Sequence, residues 1–284
     1  MDVFSMTGNP LNKYFRQPAI HMELPSQGRW WRPGSIEMPA TKKIPVSPLT
    51  AKDEILLRTP DALLNGVSVV EAIQSCCPAI KDAWAIPNID VDALLIGIRI
   101  ASYSNIMDVD TSCRHCGHEN RHGIDLGERL GHISCPNFDK TLKVNNLVIK
   151  FKPMSYFAVN REDSYAFNEE KLLQTVSNSD LSEKEKIEKM SEYARKMLES
   201  SMLSLSLQTD FVQLEDGVKV TELEFIKEFY NNIEGDKLRT VQQHLNDLYI
   251  EIKPPDVAVI CEACGKNYQF PLDFDFSSFF ARGF

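Results

Sequence analysis

The sequence predicts an α+β protein, with a small helical bundle followed by a β module that an acidic helical segment interrupts. Three observations carry this reading. Helix caps and apolar residues at helical spacing run from Thr50 to Tyr103. The pattern then shifts toward strands around two Cys-x-x-Cys turns, Cys113–Cys116 and Cys261–Cys264. Between those turns, residues 155–250 return to helical spacing and hold 19 acidic against 11 basic residues.

Residues 1–49 form the first unit. They contain seven of the 15 prolines. Proline fixes φ and removes a backbone donor, so the stretch reads as an extended arm rather than as helices. Its aromatic residues, Phe4, Tyr14, Phe15, Trp30 and Trp31, are anchors that a disordered tail would lack. The arm is expected to order only in an assembly, with Trp30 and Trp31 buried against a neighbour or against the helical bundle.

Residues 50–104 form the bundle. Thr50-Ala-Lys-Asp53 has the form of a capping box and starts a helix through Arg58. Thr59-Pro60 starts a second short helix, with Gly66 after its end. Ser68-Val-Val-Glu71 caps a third, which Pro78 stops. Asp90 caps a fourth, Val91–Ser102, whose Val91, Leu94, Leu95, Ile98 and Ala101 share one face.

Residues 105–153 and 254–284 form the β module, and residues 154–253 the insertion. Leu142-Lys-Val and Leu147-Val-Ile-Lys-Phe, separated by Asn145-Asn146, read as a hairpin. In the insertion, Ser182-Glu-Lys-Glu185 begins the longest helix, which presents Ile187, Met190, Ala194, Met197 and Leu198 on one side. The insertion is expected to project as a lobe. Its candidate core is Leu172, Leu173, Met190, Met197, Leu198, Leu203, Phe225, Phe229, Leu238, Leu245 and Leu248. The acidic balance either keeps the lobe soluble or docks it on a basic surface. The chain closes on an aromatic tail, Phe274, Phe276, Phe279, Phe280 and Phe284.

The strongest chemical signal is the repeated turn, Cys113-Arg-His-Cys116-Gly117 and Cys261-Glu-Ala-Cys264-Gly265. Cysteines at i and i+3 followed by glycine make a knuckle whose two thiolates point at one ion. Glycine supplies the positive φ that the turn needs. Two knuckles give four thiolates, the tetrahedral set for one structural zinc ion, and make the β module a zinc ribbon. The 144 residues between Cys116 and Cys261 are accommodated if residues 154–253 are an insertion between its halves. Four sulfurs leave no position for water or substrate. His115, His118 and His122 read as neighbours of the site, and Cys76, Cys77 and Cys135 as small apolar residues.

Other classes are disfavoured. Seven cysteines, an odd number, argue against a disulfide scaffold and for a reducing compartment, and no secretory leader or membrane span is expected. A net charge of −9 with few bases near the knuckles argues against a nucleic-acid module. No phosphate loop, nucleophile elbow or metalloprotease motif is present, so no catalysis is expected.

Leu24-Pro-Ser-Gln-Gly-Arg-Trp30, Pro48-Leu-Thr-Ala-Lys-Asp-Glu54, Arg58-Thr-Pro60, Leu63-Leu-Asn-Gly66, Asp92–Tyr103 and the first knuckle occur in an order that resembles the baseplate hub family of T-even-like contractile-tailed bacteriophages. The resemblance covers residues 20–130 closely and the remainder in outline. It implies a virion component of the tail baseplate, made in the host cytoplasm and present in several copies around the tail axis. The implied partners are other tail proteins (hub, spike, tube or tape-measure). A non-virion assembly chaperone is the alternative.

Overall fold

Thr50 caps the first helix as its sequence dictates. The computed structural model describes residues 10–59, 66–177, 182–272 and 279–280. In it α1 (Ala51–Leu57) opens with a complete capping box: the Thr50 hydroxyl accepts from the Asp53 backbone, and the Asp53 carboxylate accepts from the Thr50 backbone. The helix expected after Thr59-Pro60 falls on residues 60–65, outside the described residues. α2 (Val67–Cys76) starts two positions earlier than its Ser68 signal, from Gly66 at φ 69°. Ser68 therefore lies inside the helix, buried, and no capping box forms.

α3 (Asn88–Ser102) is the axis of the bundle. Val91 and the unbroken run from Ala93 to Arg99 are buried, so partners surround the helix on nearly all sides. Asp90 does not cap it; Pro87 precedes the helix, and Asp90 sits in its first turn with its carboxylate turned toward the arm.

The arm is part of this bundle. β1 (Ile20–Glu23) and β2 (Lys43–Val46) pair antiparallel, Ile20 opposite Val46. Met22, Leu24, Trp31, Ile44 and Val46 enter the same core as α2 and α3. Gly97 lets β1 come close to α3, since a Cβ there would lie 2.5 Å from Met22 Sδ. The expectation that the arm orders only in an assembly is thus corrected for residues 20–46, because their apolar side chains have a core to enter within the chain. Burial of Trp31 against the bundle is borne out, whereas Trp30 packs edge-on against Phe138, 5.3 Å between centroids.

Beyond the bundle come a hairpin of β3 (Ile106–Ser112) and β4 (Glu119–Asp125) and the short α4 (Leu126–His132), which Asp125 caps. β5 (Leu142–Val144) and β6 (Leu147–Phe151) form the expected hairpin around Asn145-Asn146. Their further partner is β7 (Thr209–Gln213), which pairs with β6 and carries β8 (Lys219–Val220) on its other side. This four-stranded antiparallel sheet joins the hairpin to the helical segment rather than to the cysteine turns.

The helical segment supplies α5 (Tyr156–Ser177), α6 (Glu183–Leu207), α7 (Leu223–Asn232) and α8 (Gly235–Ile250). α6 begins with the Ser182–Glu185 capping box read from the sequence. A second core forms where the base of α6, α7 and α8 meet the sheet. It contains Phe138, Phe151, Met202, Ile226, Tyr230 and Val241. Of the expected lobe core, Leu245 and Leu248 are buried here and Phe229 and Leu238 partly so. Leu172, Met190, Leu198 and Phe225 are instead exposed. These positions face away from the sheet, which gathers apolar residues only at the base of the helices.

β9 (Val257–Ile260) and β10 (Asn267–Phe270) form the last hairpin. Of the aromatic tail, Phe279 and Phe280 enter the core of the helical bundle, stacked edge to face. Arg99 of α3 lies over the Phe279 ring and donates to its carbonyl. Phe274, Phe276 and Phe284 lie outside the described residues. Among the described residues, no helix is long and apolar enough to cross a membrane.

Candidate metal centre

Each Cys-x-x-Cys turn is the loop of a hairpin. Ser112 pairs with Glu119 at the end of the β3–β4 ladder, and Ile260 with Asn267 at the end of β9–β10. The two loops then fold alike. Gly117 N–H donates to the Cys113 carbonyl at 2.8 Å, and Gly265 N–H to the Cys261 carbonyl at 2.9 Å. Both glycines take positive φ, 73° and 68°, a conformation that costs glycine nothing and strains any residue with a Cβ. The first cysteine of each pair is buried, and its backbone N–H donates to the residue that closes the loop, His118 or Lys266.

The hairpins meet loop to loop. Cys113, Cys116, Cys261 and Cys264 bring their sulfurs within 4.8 Å of one another. Cys113 Sγ lies 3.8 Å from Cys264 Sγ, and Cys116 Sγ lies 3.6 Å from Cys261 Sγ. A disulfide needs about 2.05 Å, so these are four thiols rather than two bridges. Four thiolates bonded at about 2.3 Å to one tetrahedral ion stand about 3.8 Å apart. The cluster therefore fits a metal ion in spacing as well as in donor chemistry. Backbone amides of Cys264 and Ala263 point at Cys261 and lower its thiol, whereas the three neighbouring sulfurs raise that of Cys116.

A second ring of contacts holds the hairpins in register. Asn120 on β4 is buried; its Oδ1 accepts from the Glu262 backbone at 2.9 Å and its Nδ2 donates to the His118 carbonyl at 3.0 Å. Tyr268 on β10 places its hydroxyl 2.6 Å from Thr111 Oγ1 and 3.0 Å from His122 Nε2. His115 Nε2 lies 3.1 Å from the Asn267 carbonyl. His115 and His122 thus engage the opposite hairpin and stand outside the sulfur cluster. Asn120 and Tyr268 carried no signal in the sequence, because the partners that tie each to the other hairpin lie more than a hundred positions away.

The remaining cysteines are remote from the centre. Cys76 and Cys77 are fully buried in the bundle. Burial pushes the Cys76 thiol up to about 12 and the Cys77 thiol higher still, which leaves both as inert apolar groups. Cys135 is half-buried, and burial raises its thiol too.

A second polar cluster fastens the arm to the bundle. Asp90 Oδ1 accepts from the Ser26 backbone at 2.7 Å, and Oδ2 accepts from Ser26 Oγ at 2.5 Å and from Trp31 Nε1 at 3.0 Å. Toward the other end of the bundle, Arg16 reaches Asp53 at 3.1 Å and the Ser75 carbonyl at 2.6 Å. Burial works against the Asp53 charge. Hydrogen bonds from the Thr50 backbone and hydroxyl and from Ser75, with the Arg16 charge, outweigh it and hold the carboxyl below the ordinary range.

Compared with known families, the chain matches one family model, described as T4 bacteriophage base plate protein, over residues 18–281. No curated protein and no solved structure matches the chain.

Proposed function

The chain belongs to the T4 bacteriophage base plate protein family, and on that premise we propose that it is a structural component of the hub or inner baseplate of a contractile tail. The observation that carries this reading is the family match, which spans both hairpins, both cores and the arm from residue 18 onward. In this role the protein binds neighbouring tail and baseplate proteins, in several copies around the tail axis. It performs no catalysis and holds neither nucleic acid nor membrane.

The four cysteines serve this role by holding one zinc ion. A closed set of four thiolates offers no open coordination position, so the metal is structural. It ties β3–β4, which follows the bundle, to β9–β10, which follows the sheet and its helices. A metal bond at that junction fixes how the two cores face one another.

Mass spectrometry of purified virions tests the assignment. The chain should be present at a fixed ratio to other baseplate proteins. Its absence from virions, with retention on baseplate intermediates in infected cells, would replace the structural role with that of an assembly chaperone.

A further inference from the structure

β1 is paired along one edge only. β2 runs beside it, with Pro45 opposite His21. Proline has no N–H to give, so the His21–Pro45 pair is one that exchanges no bond. The ladder bonds therefore run between Ile20 and Val46 and between Met22 and Ile44. Successive residues of a strand direct their backbone groups to opposite edges, so the N–H and C=O of His21 and Glu23 point away from β2. Among the described residues no backbone group pairs with them on that side.

This free edge borders a groove. Residues Ile20 to Pro25 form one wall of a space of about 700 Å³. The facing wall is α4, with Gly127, Leu130 and Gly131, and Ala93 of α3 lies at the floor. The glycines keep that wall low; a Cβ built on Gly131 meets nothing within 4 Å.

The groove specifies its occupant. Unpaired N–H and C=O groups in strand geometry are complementary to another extended backbone. An added strand lies about 4.8 Å from its neighbour, and α4 beyond it leaves no place for the rest of a second sheet. Side chains of that strand alternate between two faces. One set meets Ala93 and Leu130 and is small and apolar. The other lies beside the exposed His21 and Glu23 side chains, where Arg29 and Lys43 outnumber Glu23, and is acidic.

We propose that the free edge of β1 is a docking site for one extended segment of a partner polypeptide, alternately apolar and acidic, which adds as a third strand between β1 and α4. The site rests on the His21 and Glu23 backbone and holds independently of the baseplate role.

A capped heptapeptide of alternating valine and aspartate tests this on the full, metal-loaded chain. In amide exchange followed by NMR, His21 and Glu23 should exchange faster than Ile20 and Met22 in the free chain. With peptide at ~1 mM they should slow by about tenfold or more. N-methylating either the valines or the aspartates of the peptide should abolish binding for one set alone, because alternate N–H groups face β1. Gly131→Leu fills the groove and should weaken binding by about tenfold or more, with a melting temperature no lower than that of the wild type. Unchanged exchange of His21 and Glu23 at that peptide concentration would overturn the proposal. So would slow exchange before any peptide is added, since the edge would then already be paired within the chain. Equal binding of the two methylated peptides would place the contact in side chains and overturn it as well.

Discussion

Asn120 and Glu262, 142 positions apart in the chain, are joined by a hydrogen bond of 2.9 Å from the Glu262 backbone to the Asn120 side chain. This bond lets one hairpin orient the other's cysteine loop, because Glu262 directly follows Cys261. The other end of the Asn120 amide is held by the carbonyl of His118, beside the first loop. One buried side chain thus spans both knuckles.

Asn120→Ala removes that span and the part-buried hydrogen bond from the Glu262 backbone, at a cost of about 0.5–1.5 kcal/mol. Groups that orient metal ligands typically contribute about 10–100-fold to affinity. Competition with a chromogenic chelator should show a zinc affinity lower by about that factor. Arg121→Ala, next to it in an exposed ion pair with Asp108, should change the affinity little. Equal effects from the two variants would remove Asn120 from any metal-positioning role.

Elemental analysis of the purified chain should find one zinc per molecule, and Cys113→Ser should lower that content sharply. Metal binding and folding of the ribbon are coupled. Chelation should therefore speed amide exchange in β3, β4, β9 and β10 while leaving α2 and α3 protected. Absence of zinc together with two disulfides would sink the assignment.

The knuckles were legible in the sequence because everything that makes them is local: two cysteines, a glycine, and flanking strand residues. The capping boxes at Thr50 and Ser182 were legible for the same reason. Ser68 carried an equally good signal and failed, since Gly66 could take φ 69° and start the helix earlier. What the sequence hid was partnership over distance. The Leu142–Phe151 hairpin shows its own turn but not its pairing with β7, whose residues begin beyond two long helices.

Asp90 predicts a specific dependence of stability on pH. Its burial pushes the carboxyl up to about 6, against the hydrogen bonds from Ser26 and Trp31 that pull it down. An unfolded aspartate titrates near about 3.9, so the folded chain binds this proton more tightly. The contribution is therefore fully present below about pH 4 and is lost as pH rises through about 6, a change on the order of 3 kcal/mol. Asp53 acts in the opposite sense, losing its contribution as pH falls through its lowered value. Denaturant midpoints of wild type and Asp90→Asn between pH 4 and pH 7 isolate the first effect. The variant should be less stable at both ends, because its amide meets donors, and its profile should lack the Asp90 component. Parallel profiles would show that Asp90 does not titrate in this range.

The arm gives the last prediction. An extended, proline-rich segment can be a detachable docking strap or a structural part of the domain, and burial decides between them. Met22, Leu24, Ile44 and Val46 are buried in one core with α2 and α3, and Trp31 adds its indole and a hydrogen bond to Asp90. Burying each such side chain contributes about 1.5–3 kcal/mol. Five of them together reach the whole stability of a typical domain, about 5–15 kcal/mol. Deleting residues 1–47 should therefore yield an unfolded or insoluble chain rather than a folded one that fails to assemble. Single substitutions grade the effect. Trp31→Ala should cost about 3–5 kcal/mol. Tyr14→Ala, at an exposed ring in the same arm, should stay within about 0.5 kcal/mol. If the truncated chain instead melts cooperatively near the wild-type temperature, the core formed by α2 and α3 closes without the arm, and residues 20–46 are a strap after all.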